Sequence, residues 1–112
     1  MKIDKELLKG STTMLILELL NGEDMYGYQM MKRLHEKSED VFELKEGTLY
    51  PILHSLEEKS FIFSYWDEST AKKRKYYTIT ERGKTYLNAK KEEWKIFKGG
   101  IDKVLGGVSF AN

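Results

Sequence analysis

The sequence has no cysteine and a single proline among its 112 residues. Without cysteine it has no disulfide framework, no thiolate zinc site and no cysteine nucleophile. Its longest unbroken apolar run, Met14 to Leu17, is far shorter than the roughly 18 residues that span a bilayer. No secretory signal with a small-residue cleavage site is visible either. We therefore expect a single cytoplasmic domain that makes no contact with a membrane.

Signatures of catalysis are missing as well. The two histidines, His35 and His54, are not at metal-ligand spacing, no glycine-rich phosphate loop precedes a helix, and no serine lies in a nucleophile elbow. Three acidic residues follow His35 and are interpreted as a solvated loop rather than a metal site: Glu36, Glu39 and Asp40. We predict a protein that is not an enzyme and has no cofactor or metal.

The formal net charge is only +1, which by itself argues against a general binder of polyanions. The charge is unevenly distributed, however, because residues 21–60 are acidic and residues 61–88 and 89–112 are basic. Four consecutive cations occupy residues 72–75. This run is either a solvated turn or a contact surface for an anionic partner.

Two short helices are predicted near the N-terminus. The first covers residues 12–20, which are almost continuously apolar. Ser11 or Thr12 would cap it, and the pair Asn21-Gly22 would supply the left-handed residue that ends it. The second covers about residues 26–35. Apolar residues at three-residue spacing are expected on its buried face: Tyr28, Met31 and Leu34.

A third helix is predicted to begin between Gly47 and Thr48, because Pro51 is best tolerated in a first turn, where backbone N–H groups have no intrahelical partner. Apolar residues spaced i, i+3, i+4 and i+7 form its buried face: Leu49, Ile52, Leu53 and Leu56. The opposite face would be directed outward and carries more polar side chains: Tyr50, His54, Ser55 and Lys59.

Aromatic and β-branched residues at 61–66 and 75–80 predict a β-hairpin with the cationic run at its tip. Because side chains alternate along a strand, one of Tyr76 and Tyr77 is expected in the core and the other beneath the hairpin. Thr80 would cap the helix that follows, with Glu81 in its first turn.

The last helix carries apolar residues at heptad-like spacing, interrupted by Lys90: Leu87, Trp94, Phe97, Ile101 and Val104. Such a seam requires a partner helix, which predicts a dimer interface. The pair Gly99-Gly100 falls within the seam and destabilises a helix by about 1 kcal/mol per glycine, so we expect a bend or a frayed point there. Gly106-Gly107 would end the helix.

Three helices followed by a hairpin are typical of a winged helix-turn-helix, in which the third helix enters the DNA major groove. We predict a mainly α fold with a small β-hairpin (α+β), divided into three parts. Residues 1–80 would form the DNA-binding winged helix-turn-helix, residues 81–107 the dimerisation helix, and residues 108–112 a tail.

Four segments, in their order and spacing, resemble the PadR family of bacterial transcriptional regulators: residues 26–34, 46–53, 56–59 and 74–83. The resemblance covers roughly residues 12–107, and the short C-terminal helix is similar to that of the small members, which include multidrug-sensing repressors. It implies a homodimer that represses a promoter by binding a pseudo-palindromic operator. Two alternatives are a winged-helix module for protein–protein contact and a ligand-sensing dimer that does not bind DNA.

Nine residues are candidates for contact with double-stranded DNA, Tyr50 because the matching position faces DNA in similar proteins and the others because of their places on the predicted helices and hairpin: Thr48, Tyr50, His54, Ser55, Lys32, Lys72, Lys73, Arg74 and Lys75. Tyr50 could instead pack against the core, Thr48 could be an N-cap, and Lys32 could be solvated. Ser55 and Thr78 stand where the family often has basic residues. Gly27 is interpreted as the point where the first two helices approach closely.

Trp94 and Phe97 are candidates for a ligand site. In similar drug-sensing proteins a tryptophan of this helix stacks on flat aromatic ligands at the dimer centre. The alternative is that Trp94 is only the largest part of the dimer interface, where aromatic residues are common. The sequence therefore gives a small aromatic ligand as a second possible partner.

Overall fold

The computed structural model describes Leu8 and residues 10–106. The elements, in chain order, are α1 (Thr12–Gly22), β1 (Met25–Tyr26), α2 (Gly27–Lys37), α3 (Glu46–Glu58), β2 (Ile62–Asp67), β3 (Arg74–Ile79) and α4 (Glu81–Val104). This arrangement confirms the predicted α+β winged helix-turn-helix, to which the structure adds the short strand β1. The predicted tail, residues 108–112, and Gly107 lie outside the described residues.

One hydrophobic core lies between α1, α2, α3, the sheet and the first turns of α4. Its most deeply buried side chains come from every one of these elements: Ile16, Leu17, Leu20, Met25, Met30, Leu49, Leu53, Leu56, Ile62 and Leu87. Full burial of an aliphatic side chain contributes about 1.5–3 kcal/mol, so this set dominates the stability of the fold. The predicted buried face of α3 is confirmed, with Ile52 partly buried at its edge.

The three strands form an antiparallel sheet in the order β1-β3-β2. The long pair runs in register from Ile62 opposite Ile79 to Asp67 opposite Arg74. On the other side of β3, β1 places Met25 opposite Tyr77. A two-residue strand is too short to show alternation, which is why the sequence did not reveal β1.

The ends of α1 differ from the prediction. Ser11 is the N-cap residue but has a helical backbone conformation, and its side chain caps no N–H group. Thr12 instead donates its hydroxyl to the carbonyl of Leu8 at 3.1 Å. At the other end the helix includes Gly22 and stops at Glu23, whose backbone is extended. The predicted left-handed Asn21-Gly22 ending is therefore wrong.

The buried face of α2 is also rotated from the predicted one. Leu34 is buried as predicted, but Tyr28 is 61% exposed, and the helix buries Gly27 and Met30 alongside Leu34. Since Tyr28 and Met30 are two positions apart, they lie on nearly opposite sides of the helix. Packing of the i, i+4 pair Met30 and Leu34 excludes Tyr28 from the core, whereas Met31 is partly buried at the flank.

The third helix begins at Glu46, earlier than predicted, so Pro51 lies in its second turn. A proline there provides no N–H for the carbonyl four residues before it, that of Gly47. Gly47 is exposed, so water can satisfy this carbonyl and the helix tolerates the proline.

Helix α4 is capped as predicted, because the Thr80 hydroxyl accepts from the backbone N–H of Gly83 at 3.0 Å. The helix runs without interruption through Gly99-Gly100, so the predicted frayed point is wrong. It ends at Val104, and Gly106 has the left-handed backbone expected after a helix, with φ of +102°. No helix in the described part of the chain is long and apolar enough to cross a membrane.

The 24 residues of α4 span about 36 Å, and only the first turns lie on the core. The molecule measures 54 × 31 × 24 Å, with a radius of gyration of 15.8 Å. A compact domain of this size has a radius of gyration of about 13 Å. The distal half of α4 therefore projects from the rest of the molecule.

Two glycines of α4 give a matched test of this packing. A Cβ added to Gly83 would lie 2.8 Å from Ile79 Cγ1 and closer still to the carbonyl of Phe61, whereas one added to Gly99 meets nothing within 4 Å. We expect Gly83→Ala to lower the free energy of unfolding by about 1–3 kcal/mol through overpacking. Gly99→Ala should raise it by about 1 kcal/mol through helix propensity. Urea denaturation measures both, and a Gly83→Ala variant as stable as the original would contradict the contact.

Candidate nucleic-acid interface

The outward face of α3 carries the side chains predicted to meet DNA. Burial of Leu49, Leu53 and Leu56 on the opposite face fixes the rotation of the helix. Thr48 and His54 are exposed and Ser55 is half-buried. Lys45, not Thr48, is the N-cap residue, so Thr48 lies in the first turn with its side chain in solvent.

Tyr50 both packs and remains accessible. Its ring lies against Gly27 at the start of α2, where an added Cβ would be 2.8 Å from Tyr50 Cζ. Gly27 therefore accommodates Tyr50 of α3, and the predicted close approach of the first two helices at this residue is wrong. The side chain is still 41% exposed. Its orientation is fixed by the α2 backbone while part of the ring faces solvent.

The four consecutive cations do not share one location. Lys72 and Lys73 lie in the loop between β2 and β3, where Lys73 Nζ is 3.6 Å from a carboxylate oxygen of Glu68. Arg74 and Lys75 belong to β3 and point to opposite faces of the sheet. The predicted cationic tip therefore consists of two lysines, because strand β3 begins earlier than expected.

An acidic residue helps to shape this loop. The carboxylate of Asp67 accepts hydrogen bonds from the Ser69 hydroxyl at 2.7 Å and from the Ser69 backbone N–H at 2.9 Å. These bonds hold the pKa of Asp67 below its usual value. Asp67 therefore stays ionised at neutral pH and offsets part of the positive charge near the tip.

The face of the hairpin that carries Phe63, Tyr65 and Tyr76, here called the outer face, is tied to the rest of the protein. The Tyr65 hydroxyl donates to Asp24 Oδ2 at 2.6 Å, and this bond to a carboxylate raises the pKa of Tyr65 to about 12. The rings of Tyr65 and Tyr76 stack with centroids 5.9 Å apart. The hairpin is thereby anchored to the turn after α1, a contact between residues 41 positions apart that periodicity does not reveal.

Tyr76 and Tyr77 behave as the alternation predicted. Tyr77 is buried in the core, and burial raises the pKa of its hydroxyl, to which the nearby Glu57 carboxylate also contributes. Tyr76 is half-buried and meets the ring of Tyr26 edge-on at 5.4 Å. The guanidinium of Arg74 lies over the same Tyr26 ring, 4.6 Å from its centroid. Arg74 is therefore engaged within the chain.

Two cations of α2 have different surroundings. Arg33 Nη1 lies 3.3 Å from the carboxylate of Glu23, so this cation is used in an internal ion pair. Lys32 is exposed to solvent.

The connection after α2 is held by His35, whose Nε2 lies 3.1 Å from Asp40 Oδ1. Within Leu8 and residues 10–106 no cluster of three potential metal ligands occurs.

The predicted seam of α4 divides into two parts. Leu87 is 1% exposed within the single chain, so it belongs to the core and has no surface to offer a partner. Its assignment to a dimer interface is therefore wrong. The other four residues lie on the projecting half and are exposed: Trp94, Phe97, Ile101 and Val104. The rings of Trp94 and Phe97 are neighbours, with centroids 5.8 Å apart.

Lys90 interrupts the seam where α4 leaves the core. Its Nζ lies 3.1 Å from a carboxylate oxygen of Glu93, and this bond raises the pKa of Lys90. The neighbouring Lys91 reaches back to Glu18 of α1 at 2.9 Å. These cations are paired within the chain, at the boundary between the core-facing and the projecting parts of α4.

Comparison with known proteins finds close relatives over nearly the whole chain. The sequence profile of the transcriptional regulator PadR-like family matches residues 16–89. The uncharacterised protein X of Lysinibacillus sphaericus is 36% identical over 107 residues, which cover 95% of this chain and 98% of that protein.

Solved structures agree with the sequence comparison. A transcriptional regulator from Clostridium thermocellum has 38% sequence identity and a TM-score of 0.83, covering 88% of this chain and 96% of that one. A PadR family transcriptional regulator from Eggerthella lenta has 34% identity and a TM-score of 0.81, with 90% and 87% of the two chains covered.

Proposed function

Because the chain belongs to the transcriptional regulator PadR-like family, we propose that it is a repressor that binds a pseudo-palindromic promoter operator as a homodimer. It acts by occupying DNA in the cytoplasm and without catalysis. The observation that carries this proposal is the combination of an outward α3, a cation-bearing hairpin and a projecting apolar helix in one chain.

Helix α3 is proposed to enter the major groove. Tyr50 is held against Gly27 and exposes part of its ring, which suits a hydroxyl that bonds a phosphate. Thr48 in the first turn has an exposed side chain close to N–H groups at the helix start, a common arrangement for phosphate contact. His54 and Ser55 lie about one turn further along and are proposed to reach base edges or the backbone.

The hairpin, the wing of this fold, is proposed to contact the flanking backbone through Lys72, Lys73 and Lys75. Each neutralised phosphate releases counterions, so these contacts depend on salt and carry little sequence information. Arg74 is included in the proposed surface, although it would first have to leave the ring of Tyr26. Lys32 of α2 is a further candidate for backbone contact.

Removal of the wing lysines tests DNA binding. We expect Lys72→Ala with Lys73→Ala to weaken binding to all duplexes about equally and to reduce the slope of log K against log[salt] by about 1–2. The matched control is Lys84→Ala with Lys103→Ala, which removes the same charge from α4 and should leave the slope unchanged. Titration of a labelled duplex at several salt concentrations measures both variants. A flat salt response in the unmodified protein would overturn the DNA-binding proposal in favour of a protein-contact module.

The projecting half of α4 is proposed to pair with the same helix of a second copy. The four exposed apolar residues lie on one face of the helix and form an apolar surface whose exposure to water is unfavourable. A two-fold axis through this pair would repeat the contact on both chains and place two α3 helices about 34–36 Å apart, one turn of DNA.

A charge introduced into this face should separate the chains. We expect Phe97→Glu to convert the dimer to a monomer at micromolar concentration, because the carboxylate would be buried without a partner. Asn88→Glu is the control, since at 100° per residue it lies about 180° away on the helix and adds the same charge. Sedimentation gives the mass of each variant. A monomeric mass for the unmodified protein would refute the proposed interface.

Trp94 and Phe97 are proposed to bind a flat aromatic ligand between the two copies, and the ligand would relieve repression. Their exposed neighbouring rings supply the stacking surface that such a ligand requires.

In Trp66→Phe, where Trp94 is the remaining tryptophan, planar aromatic compounds should quench the emission. Quenching that survives in Trp94→Phe but is lost in Trp66→Phe would place the ligand elsewhere, and no quenching in either variant would leave Trp94 as interface alone.

A further inference from the structure

The hairpin has a second face, here called the inner face, that is turned toward α3. Alternation places Ile62, Ser64 and Trp66 of β2 on this face, opposite Ile79, Tyr77 and Lys75 of β3. Ile62 and its neighbours at the base are in the core. Further out, the Ser64 hydroxyl donates to Glu57 of α3 at 2.8 Å, which shows on which side α3 lies. The outermost apolar position of the inner face is Trp66.

Trp66 is 58% exposed, although it is one of the two largest side chains of the chain. In the described part of the protein no other aromatic ring stacks on it. Because folding leaves most of the indole in water, its burial by a partner would still be favourable. Exposed tryptophans of this kind are typical of residues that anchor a partner. The indole N–H can donate one hydrogen bond and the side chain can accept none, so it suits a partner that offers acceptor atoms.

Charge distinguishes the two faces of the hairpin. The outer face carries the carboxylate of Asp67, holds that of Asp24 through Tyr65, and has Arg74 stacked on a ring. On the inner face Lys75 lies directly opposite Trp66 in the register. The Lys75 ammonium lies 5.8 Å from the centroid of the Tyr77 ring and, within the described residues, forms no ion pair with a carboxylate. The Glu57 carboxylate of α3 accepts a hydrogen bond from Ser64 on the same face. An anionic partner is therefore favoured on the inner face, next to Trp66 and Lys75.

We infer that Trp66 and Lys75 form a DNA-backbone contact of the wing, an inference that rests on the proposed function. The indole packs against a deoxyribose and donates its N–H to a phosphate, and the Lys75 ammonium neutralises a neighbouring phosphate. The inner face is the side on which α3 would hold the duplex. Because sugar and phosphate are common to all sequences, this contact contributes affinity and register but no base preference.

The experiment compares Trp66→Ala with Phe63→Ala, an exposed aromatic of the same strand on the outer face. The probe is a duplex of arbitrary sequence that is long enough for two half-sites. Trp66→Ala should weaken binding about tenfold, equivalent to about 1.4 kcal/mol, without changing the salt slope. Lys75→Ala should lower the salt slope by about 1. Phe63→Ala should bind like the unmodified protein.

Fluorescence gives an independent readout. In Trp94→Phe the emission comes from Trp66 alone, and, once titration has shown that this variant binds the duplex, addition of the duplex should shift and quench that emission. In Trp66→Phe the emission comes from Trp94, and the same duplex should leave it unchanged.

If the unmodified protein binds the duplex while Trp66→Ala binds equally well, or Trp66 emission does not respond, this inference is wrong and the proposed function stands. If the unmodified protein binds no duplex at any salt concentration, both are wrong.

Discussion

The start of α4 lies so close to the segment between α3 and β2 that only glycine fits at position 83, and the geometry of the whole molecule depends on this junction. The backbone N–H of Thr80 donates to the carbonyl of Phe61 at 3.0 Å, and Arg82 Nε donates to the carbonyl of Lys59 at 3.0 Å. The rings of Phe61 and Tyr86 stack at 4.3 Å across the same joint. These contacts set the direction of α4 relative to α3, and hence the spacing of the two α3 helices in the proposed dimer.

Several cations of this protein already interact with groups of the same chain. Arg33, Lys73 and Lys91 each lie near a carboxylate, and Arg74 lies over a tyrosine ring. Exposed pairs of this kind contribute little stability, at most about 1 kcal/mol each. They do reduce the number of cations that can meet a polyanion without rearrangement. Under the proposed function, affinity for DNA would come from shape and from a few placed lysines, because the long-range electrostatic attraction of a chain with a net charge of +1 is weak.

The sequence allowed prediction of features that repeat along one element. The buried stripe of α3, the hairpin and the Thr80 cap are local patterns, and each was predicted correctly. Contacts between distant segments were not predictable, as β1, the Tyr65–Asp24 bond and the position of Tyr50 on Gly27 demonstrate. The seam of α4 is the instructive case. A heptad spacing shows that a face is apolar but not what covers it, and Leu87 is covered by the chain's own core.

The bond between Tyr65 and Asp24, together with the stacked rings beside it, has a thermodynamic consequence for recognition. A wing that is free to move would lose conformational entropy when it meets a duplex, and that loss would oppose binding. Here the two strands are anchored on the outer face when the chain folds, so the inner face is preorganised before any partner arrives. Part of the conformational entropy that the hairpin would otherwise lose on binding is therefore already lost on folding.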